Sequence, residues 1–155
     1  MLDVEVVKQR DPAAIRRLLD RLPDWFGIPE SNDEYVAAAA TMTSYLARTG
    51  TPPDVVGVLL IERHFPDTAE VHLMAVDPTI HRRGVGRQLL DAAEADLLPD
   101  GVRLLEVKTL GPSRPHDGYA ATREFYRAMG FLPLEERDDI WDPGNPCLIM
   151  VKPLA

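Results

Sequence analysis

The sequence predicts a mixed α/β domain built on a single sheet, in the order β-α-α-β-β-β-α-β-α-β-β. Three observations lead there. Runs rich in β-branched residues recur at strand length, some alternating and one continuously apolar. Between them lie segments whose apolar residues recur at helical spacing. Most of the fourteen prolines stand where elements must end. A chain of 155 residues fits one domain, 1–155.

Residues 2–8 alternate and read as a strand. Asp11 followed by Pro12 starts a helix over residues 11–22, an N-cap and a proline at the first helical position. Ser31 and Glu34 have capping-box spacing and open a second helix. Residues 43–48 could extend that helix; a strand is preferred, because Thr49-Gly50-Thr51-Pro52-Pro53 then connects a hairpin. Residues 55–63 form a continuous apolar run, as in a strand buried on both faces. A turn at Phe65-Pro66-Asp67 leads to a strand over 69–76. Residues 84–98 are helical, with Val85, Leu89, Leu90, Ala93 and Leu97 on one stripe. A strand over 102–109 follows, then a helix over 119–129 ended by Gly130. Strands over 131–137 and 147–152 close the chain.

Composition narrows the function. Seventeen Lys and Arg against twenty-five Asp and Glu give a net charge of −8. That argues against nucleic acid and against an anionic membrane surface as partners. Met1–Arg10 alternates and carries charge, unlike a secretory leader. The single cysteine, Cys147, permits no intramolecular disulfide and fits a reducing, cytoplasmic setting. It precedes an apolar run with no base nearby in sequence, which reads as a core thiol. His64, His72, His81 and His116 show no metal-ligand spacing. No metal is expected, and a zinc site would have to be assembled from scattered residues.

The densest chemical signal is Val76-Asp77-Pro78-Thr79-Ile80-His81-Arg82-Arg83-Gly84-Val85-Gly86-Arg87. A strand ends, a loop follows, and two glycines open an amphipathic helix. Glycine lets a backbone approach a ligand closely. The first helical amides have no internal partner and, with the helix dipole, favour an anion. Arg82, Arg83 and Arg87 add positive charge, which suits a phosphate or pyrophosphate. A dinucleotide fingerprint would need a third glycine where Leu89 stands, and the Gly-Lys-Ser/Thr of a P-loop is absent.

His81-x-x-Gly84-x-Gly86, after the strand end Leu73-Met74-Ala75-Val76-Asp77-Pro78, resembles the acyl-CoA motif of the GNAT superfamily of N-acetyltransferases. Phe125-Tyr126-x-x-x-Gly130-Phe131 resembles the family's second signature, at matching separation. The resemblance runs from about Val55 to the C-terminus. It departs from the pattern at His81, where Gln or Arg is usual, and at Tyr119 and Thr122, which replace an asparagine and an alanine. An extra loop, 111–118, precedes the last helix and borders the site.

The resemblance implies the acyl-CoA N-acyltransferase fold, a centrally splayed sheet flanked by helices. It implies acetyl-CoA as co-substrate, held in a wedge between the strands over 69–76 and 102–109. Coenzyme contacts are expected from Met74, Ala75, Val76, His81, Arg82, Arg83, Gly84, Val85, Gly86, Arg87, Tyr119 and Tyr126, many through the backbone. The splay needs a bend, often a bulge, that the sequence does not locate.

Acetyl transfer needs an amine that loses a proton, a stabilised thioester oxygen and a leaving thiolate that gains a proton. Strand alternation places Glu70, His72 and Met74 on one face, and Val71, Leu73 and Ala75 on the other. Ala69-Glu70-Val71 resembles the place where histone-type members of the family carry their base, which makes Glu70 the expected base, directly or through water, with His72 as alternative or relay; an exposed strand-end carboxylate and a packing histidine are the plainer readings. Tyr126 matches the tyrosine near the coenzyme sulfur and is the expected acid; the plainer reading packs it beside Phe125 and Met129. Trp25, Phe26, Ile28 and Pro29, with Asp138, Asp139, Trp141 and Asp142, fall where the family builds its acceptor pocket. The expected activity is transfer of acetyl to a primary amine of a small molecule. A protein lysine or N-terminal acceptor, and a non-catalytic acyl-CoA-binding regulator, are the alternatives. The resemblance also carries the expectation of a homodimer.

Overall fold

The computed structural model describes residues 3–154. The element order matches the expectation. It runs β1 (Glu5–Lys8), α1 (Pro12–Asp20), α2 (Pro29–Ala38), β2 (Thr43–Thr49), β3 (Asp54–Phe65) and β4 (Thr68–Val76). Then come α3 (Val85–Leu97), β5 (Leu104–Leu110), α4 (Asp117–Ala128), β6 (Leu132–Arg137) and β7 (Cys147–Pro153). One 3-10 turn, Pro78–Ile80, lies between β4 and α3. Leu2, expected in the first strand, lies outside the described residues.

Two boundaries differ instructively. The second helix begins at Pro29, without a side-chain cap at Ile28, rather than with Ser31 as cap. Proline at the first position has φ preset for a helix and lacks one of the amides that the first turn leaves without a partner, so the helix starts three residues early. The fifth strand begins at Leu104. Val102 is fully buried, but its amide donates to the Leu97 carbonyl and closes the turn after α3 instead of joining the sheet.

All strands lie in one seven-stranded sheet, ordered β1-β2-β3-β4-β5-β7-β6. Only β4 and β5 are parallel neighbours, and α3 is the crossover between them. The sheet buries both faces. On one side lie Ile15, Leu18 and Leu19 of α1 against Leu46, Val58, Leu60, Leu73 and Ala75. On the other lie Val85, Leu89, Leu90, Ala93 and Leu97, the stripe read from the sequence, against Leu59, Ile61, Val71 and Leu105. The continuous run in β3 is thereby explained: Val55 to Ile61 is buried throughout because alternate residues face opposite cores.

Candidate active site

β4 is irregular where it matters. Leu60 pairs with Leu73 and Ile61 with Val71, so His72 is an extra residue and the bulge sits there. The bulge reverses the alternation beyond it. Val71, Met74 and Val76 pack on the α3 side, whereas Leu73 and Ala75 pack on the α1 side. Glu70, His72 and Met74 therefore do not share one face, contrary to simple alternation. His72 turns toward α2, its ring 5.5 Å from that of Tyr35 in a T-shaped contact.

The bulge coincides with a parting of strands. β4 and β5 pair at Thr68–Leu104, Ala69–Leu105, Glu70–Glu106 and Val71–Val107, and no further. Beyond Val71, β4 continues along β3 while β5 continues along β7. The Asp77 amide donates to the Val56 carbonyl at 2.8 Å. In an antiparallel ladder this makes Gly57–Val76 and Leu59–Met74 the pairs that exchange no hydrogen bonds. The N–H and C=O groups of Met74 and Val76 consequently point away from β3, into the opening left by β5. The Val76 carbonyl is taken by His81, and the N–H and C=O of Met74 with the N–H of Val76 remain as a template for an extended ligand that carries amides of its own. On the β5 side the hydroxyl of Thr109 is buried, and it has no hydrogen-bond partner among the described residues.

The loop after β4 is held from within. Asp77 is 7% exposed; its carboxylate accepts from the Thr79 amide at 2.9 Å and the Thr79 hydroxyl at 2.8 Å. Arg21, just past α1, donates to the same carboxylate at 2.8 Å and to the Val55 carbonyl at 3.0 Å. Burial pushes the Asp77 carboxyl upward, but the Thr79 hydrogen bonds and the Arg21 and His81 charges outweigh it and hold the group below its ordinary value. His81 does not extend toward an anion. Its Nε2 donates to the Val76 carbonyl at 2.7 Å, and its ring lies 5.3 Å from Trp25, edge to face. The side chain thus fastens the loop to the strand end, a role its identity alone does not reveal.

Arg82 has φ 65° and Gly84 φ 81°, two left-handed residues in a four-residue turn. Such turns converge successive amides into an anion-binding concavity. Nothing crowds the Cβ position of Gly84, so its conformation, not space, requires glycine there. Gly86 is different. A Cβ there would come within 2.8 Å of the Phe125 ring, so Gly86 lets α4 close on the start of α3. Arg82, Arg83 and Arg87 are exposed and form no ion pair among the described residues. Unneutralised cations at a helix N-terminus oppose the helix dipole, an arrangement that an anionic ligand would relieve.

At the closed end of the wedge Glu70 is buried, its side chain 8% exposed. His64 Nε2 lies 2.7 Å from Oε1, and Lys108 Nζ donates to Oε2 at 3.1 Å. Lys108 also reaches Glu106 at 3.4 Å. Burial raises the Glu70 carboxyl, but the hydrogen bonds from His64 and Lys108 prevail and the group stays ionised below its ordinary value. The Lys108 ammonium is correspondingly held above its own: burial lowers it, and Glu70 and Glu106 more than compensate.

α4 supplies the opposite wall. Tyr126 is 4% exposed, its ring against Phe125 and Phe131, and burial pushes the phenol far above its ordinary value. Tyr119 donates to the Trp25 carbonyl at 2.6 Å, and burial takes its phenol up to about 12. His116 caps the helix: Nδ1 accepts from the Tyr119 amide at 3.1 Å, while Nε2 donates to the Asp24 carbonyl at 3.0 Å. The loop before α4 is tied to the last hairpin as well, through Ser113 to Glu136 and Arg114 to Asn145. Cys147 is fully buried in β7, and desolvation raises its thiol to about 11, consistent with a core thiol.

His64, Lys108, Thr109 and the Trp25 carbonyl were invisible to motif reading. They reach the site through strand register and helix docking. The one sequence-level signal was the polar residues of β5, Glu106, Lys108 and Thr109, set among the apolar residues of that strand. A surface depression of about 770 Å³ lies between Lys8, Met42, Arg63 and Asp100, and none of the residues of the 82–87 turn or of α4 lines it. No helix among the described residues is long and apolar enough to cross a membrane.

The fold recurs in solved structures. A candidate acetyltransferase of the GNAT family from Desulfovibrio desulfuricans superposes with a TM-score of 0.84 at 23% identity, covering 99% of this chain and 100% of that one. The ribosomal-protein-S18-alanine N-acetyltransferase from Escherichia coli gives 0.77 at 19%, covering 100% and 95%. A GNAT family acetyltransferase from Elizabethkingia anophelis, solved with acetyl-CoA bound, gives 0.72 at 18%, covering 97% and 98%. No curated protein matches the chain by sequence. The family model for the acetyltransferase (GNAT) domain matches residues 41–133, from β2 through the second signature, and with that match the chain belongs to the GNAT family of N-acetyltransferases.

Proposed function

We propose that this acetyltransferase transfers the acetyl group of acetyl-CoA directly to a primary amine of a small cytoplasmic molecule. The observation that carries the reading is the wedge: the N–H and C=O of Met74 and the N–H of Val76, left unpaired where β5 parts from β4, lead to the amide-lined turn over 82–87, and β5 carries a buried Thr109 hydroxyl without a partner among the described residues. The pantetheine arm carries amides that suit the first, and the pyrophosphate suits the second. Ala75 and Val85 turn their side chains into the two cores, so any contact they make is through the backbone.

In the transfer the neutral amine nitrogen attacks the thioester carbon, forming C–N as C–S breaks. Glu70, ionised at neutral pH, receives the ammonium proton through water, with His72 beside the path. An amide of the unpaired β4 segment donates to the thioester oxygen as charge develops there. Tyr126 keeps its phenol protonated across the working range and gives the departing thiolate its proton. Two hydrogen bonds, His116 to Asp24 and Tyr119 to Trp25, join α4 to the segment between α1 and α2 and close one side of the mouth. That closure supports a compact acceptor over a polypeptide laid in an open trough.

The test is thiol release from acetyl-CoA with a panel of small amines, polyamines, amino acids and a lysine-rich peptide, alongside calorimetric titration with acetyl-CoA. Coenzyme binding with turnover on small amines is expected. Turnover confined to the peptide would replace the acceptor class, binding without turnover would leave a regulator, and no binding by folded protein would end the reading.

A further inference from the structure

We propose that Glu62, His64 and Glu70 form a binding site for one divalent transition-metal ion of the zinc type, on the α1 face of the sheet beside the closed end of the wedge. Glu62 of β3 and Glu70 of β4 are direct cross-strand partners, which places their side chains on the same face. The second irregularity of this strand pair lies between Arg63 and Phe65 and sets His64 at the strand end beside both carboxylates. One ligand atom from each of the three residues lies within 4.8 Å of the other two. His64 Nε2 is 2.7 Å from Glu70 Oε1 and 3.7 Å from Glu62 Oε1.

Tetrahedral zinc with nitrogen and oxygen ligands at about 2.0–2.2 Å separates those ligands by about 3.4 Å. The three atoms bracket that spacing, so small side-chain rotations suffice. The donor set, one imidazole and two carboxylates, is of the kind zinc accepts, whereas calcium and magnesium prefer oxygen alone. Charge supports the assignment. Glu62, Glu70 and Glu106 place three carboxylates on this patch against the single ammonium of Lys108. Lys108 occupies Oε2 of Glu70 and leaves Oε1 turned to His64. Arg63, the other nearby cation, is directed away to Asp100 and the Pro66 carbonyl.

Access is available from solvent. The His64 and Glu62 side chains are 39% and 37% exposed, against 8% for Glu70. Three protein ligands with an open outer side leave a fourth position for water. On binding, the Nε2 proton of His64 moves to Nδ1 or to solvent and the freed lone pair faces the ion. The ion then occupies Oε1 of Glu70, which would withdraw that carboxylate from proton transfer. The site itself does not depend on the acetyltransferase reading, because binding is read on the protein alone.

The experiment titrates the chelator-stripped full chain with zinc chloride against a chromophoric competitor. One equivalent is expected in the wild type, weakened at least about tenfold in both His64→Ala and Glu62→Gln and unchanged in Glu124→Gln, an exposed carboxylate on α4. Near-UV circular dichroism reports folding of each variant. If His64→Ala does not fold, the isosteric change at Glu62 carries the test. No binding to the wild type, or equal binding in all four proteins, overturns the proposal.

Discussion

The two ends of β4 hold opposite kinds of order. At Thr68–Val71 the strand is paired on both sides, and its one inward charge, Glu70, is met by His64 and Lys108. At Met74–Val76 the strand is paired on one side only, and its remaining main-chain groups face the wedge. A single bulged residue, His72, separates the two regimes. The closed end fixes a carboxylate in its ionised form; the open end keeps hydrogen-bonding capacity in reserve for a ligand. In the proposed reading, proton transfer and coenzyme binding thereby fall on one strand, within a few residues, and use different groups.

Variants at each end should separate these roles. The largest effect is expected from Glu70→Gln, which removes the charge while keeping the shape: turnover at neutral pH should fall by about 100-fold or more, with acetyl-CoA affinity nearly intact. Steady-state kinetics with calorimetry checks this; normal turnover would exclude Glu70 as base. Tyr126→Phe should lower kcat by a smaller factor, about tenfold or more, with little change in coenzyme affinity. Since the wild-type phenol is raised far above its ordinary value, the wild-type rate profile should show no alkaline limb from this residue.

The open end is probed by Gly86→Val. Its side chain meets the Phe125 ring, and overpacking of this kind costs about 1–3 kcal/mol, read as a lower melting temperature together with weaker acetyl-CoA binding. Unchanged coenzyme affinity would show that the junction of α3 and α4 does not shape the phosphate turn. The smallest effect is expected from Asp77→Asn, about 1–2 kcal/mol from the hydrogen bonds to Thr79 and Arg21. Asp77 and Glu70 are both held below their ordinary values in the folded chain. Their contribution is therefore complete above the ordinary carboxylate range, about 4, and is lost as pH falls through the folded values. Denaturation midpoints measured from pH 6 downward should decline, and Asp77→Asn should decline less steeply.

Much of this was legible in the residues. The helix stripe from Val85 to Leu97 and the doubly buried run of β3 follow from periodicity, because apolar spacing reports which faces are covered. The turn at Gly84 follows from the local pairing of glycines with arginines. Alternation failed in β4, since one extra residue reverses every side chain beyond it and no residue type announces a bulge. The capping box at Ser31 failed because Pro29 competed with it locally and won.

What the sequence determined by itself was the element order, the two cores and the family motifs, all set by neighbours close along the chain. Only the tertiary structure decided which groups meet Glu70. His64 arrives from the strand before it and Lys108 from a strand 38 positions later, brought together by register. It also decided that His81 fastens a strand end and that Gly86 makes room for Phe125. Such contacts depend on how separate elements dock, and docking is settled by burying whole faces rather than by the residues at the contact.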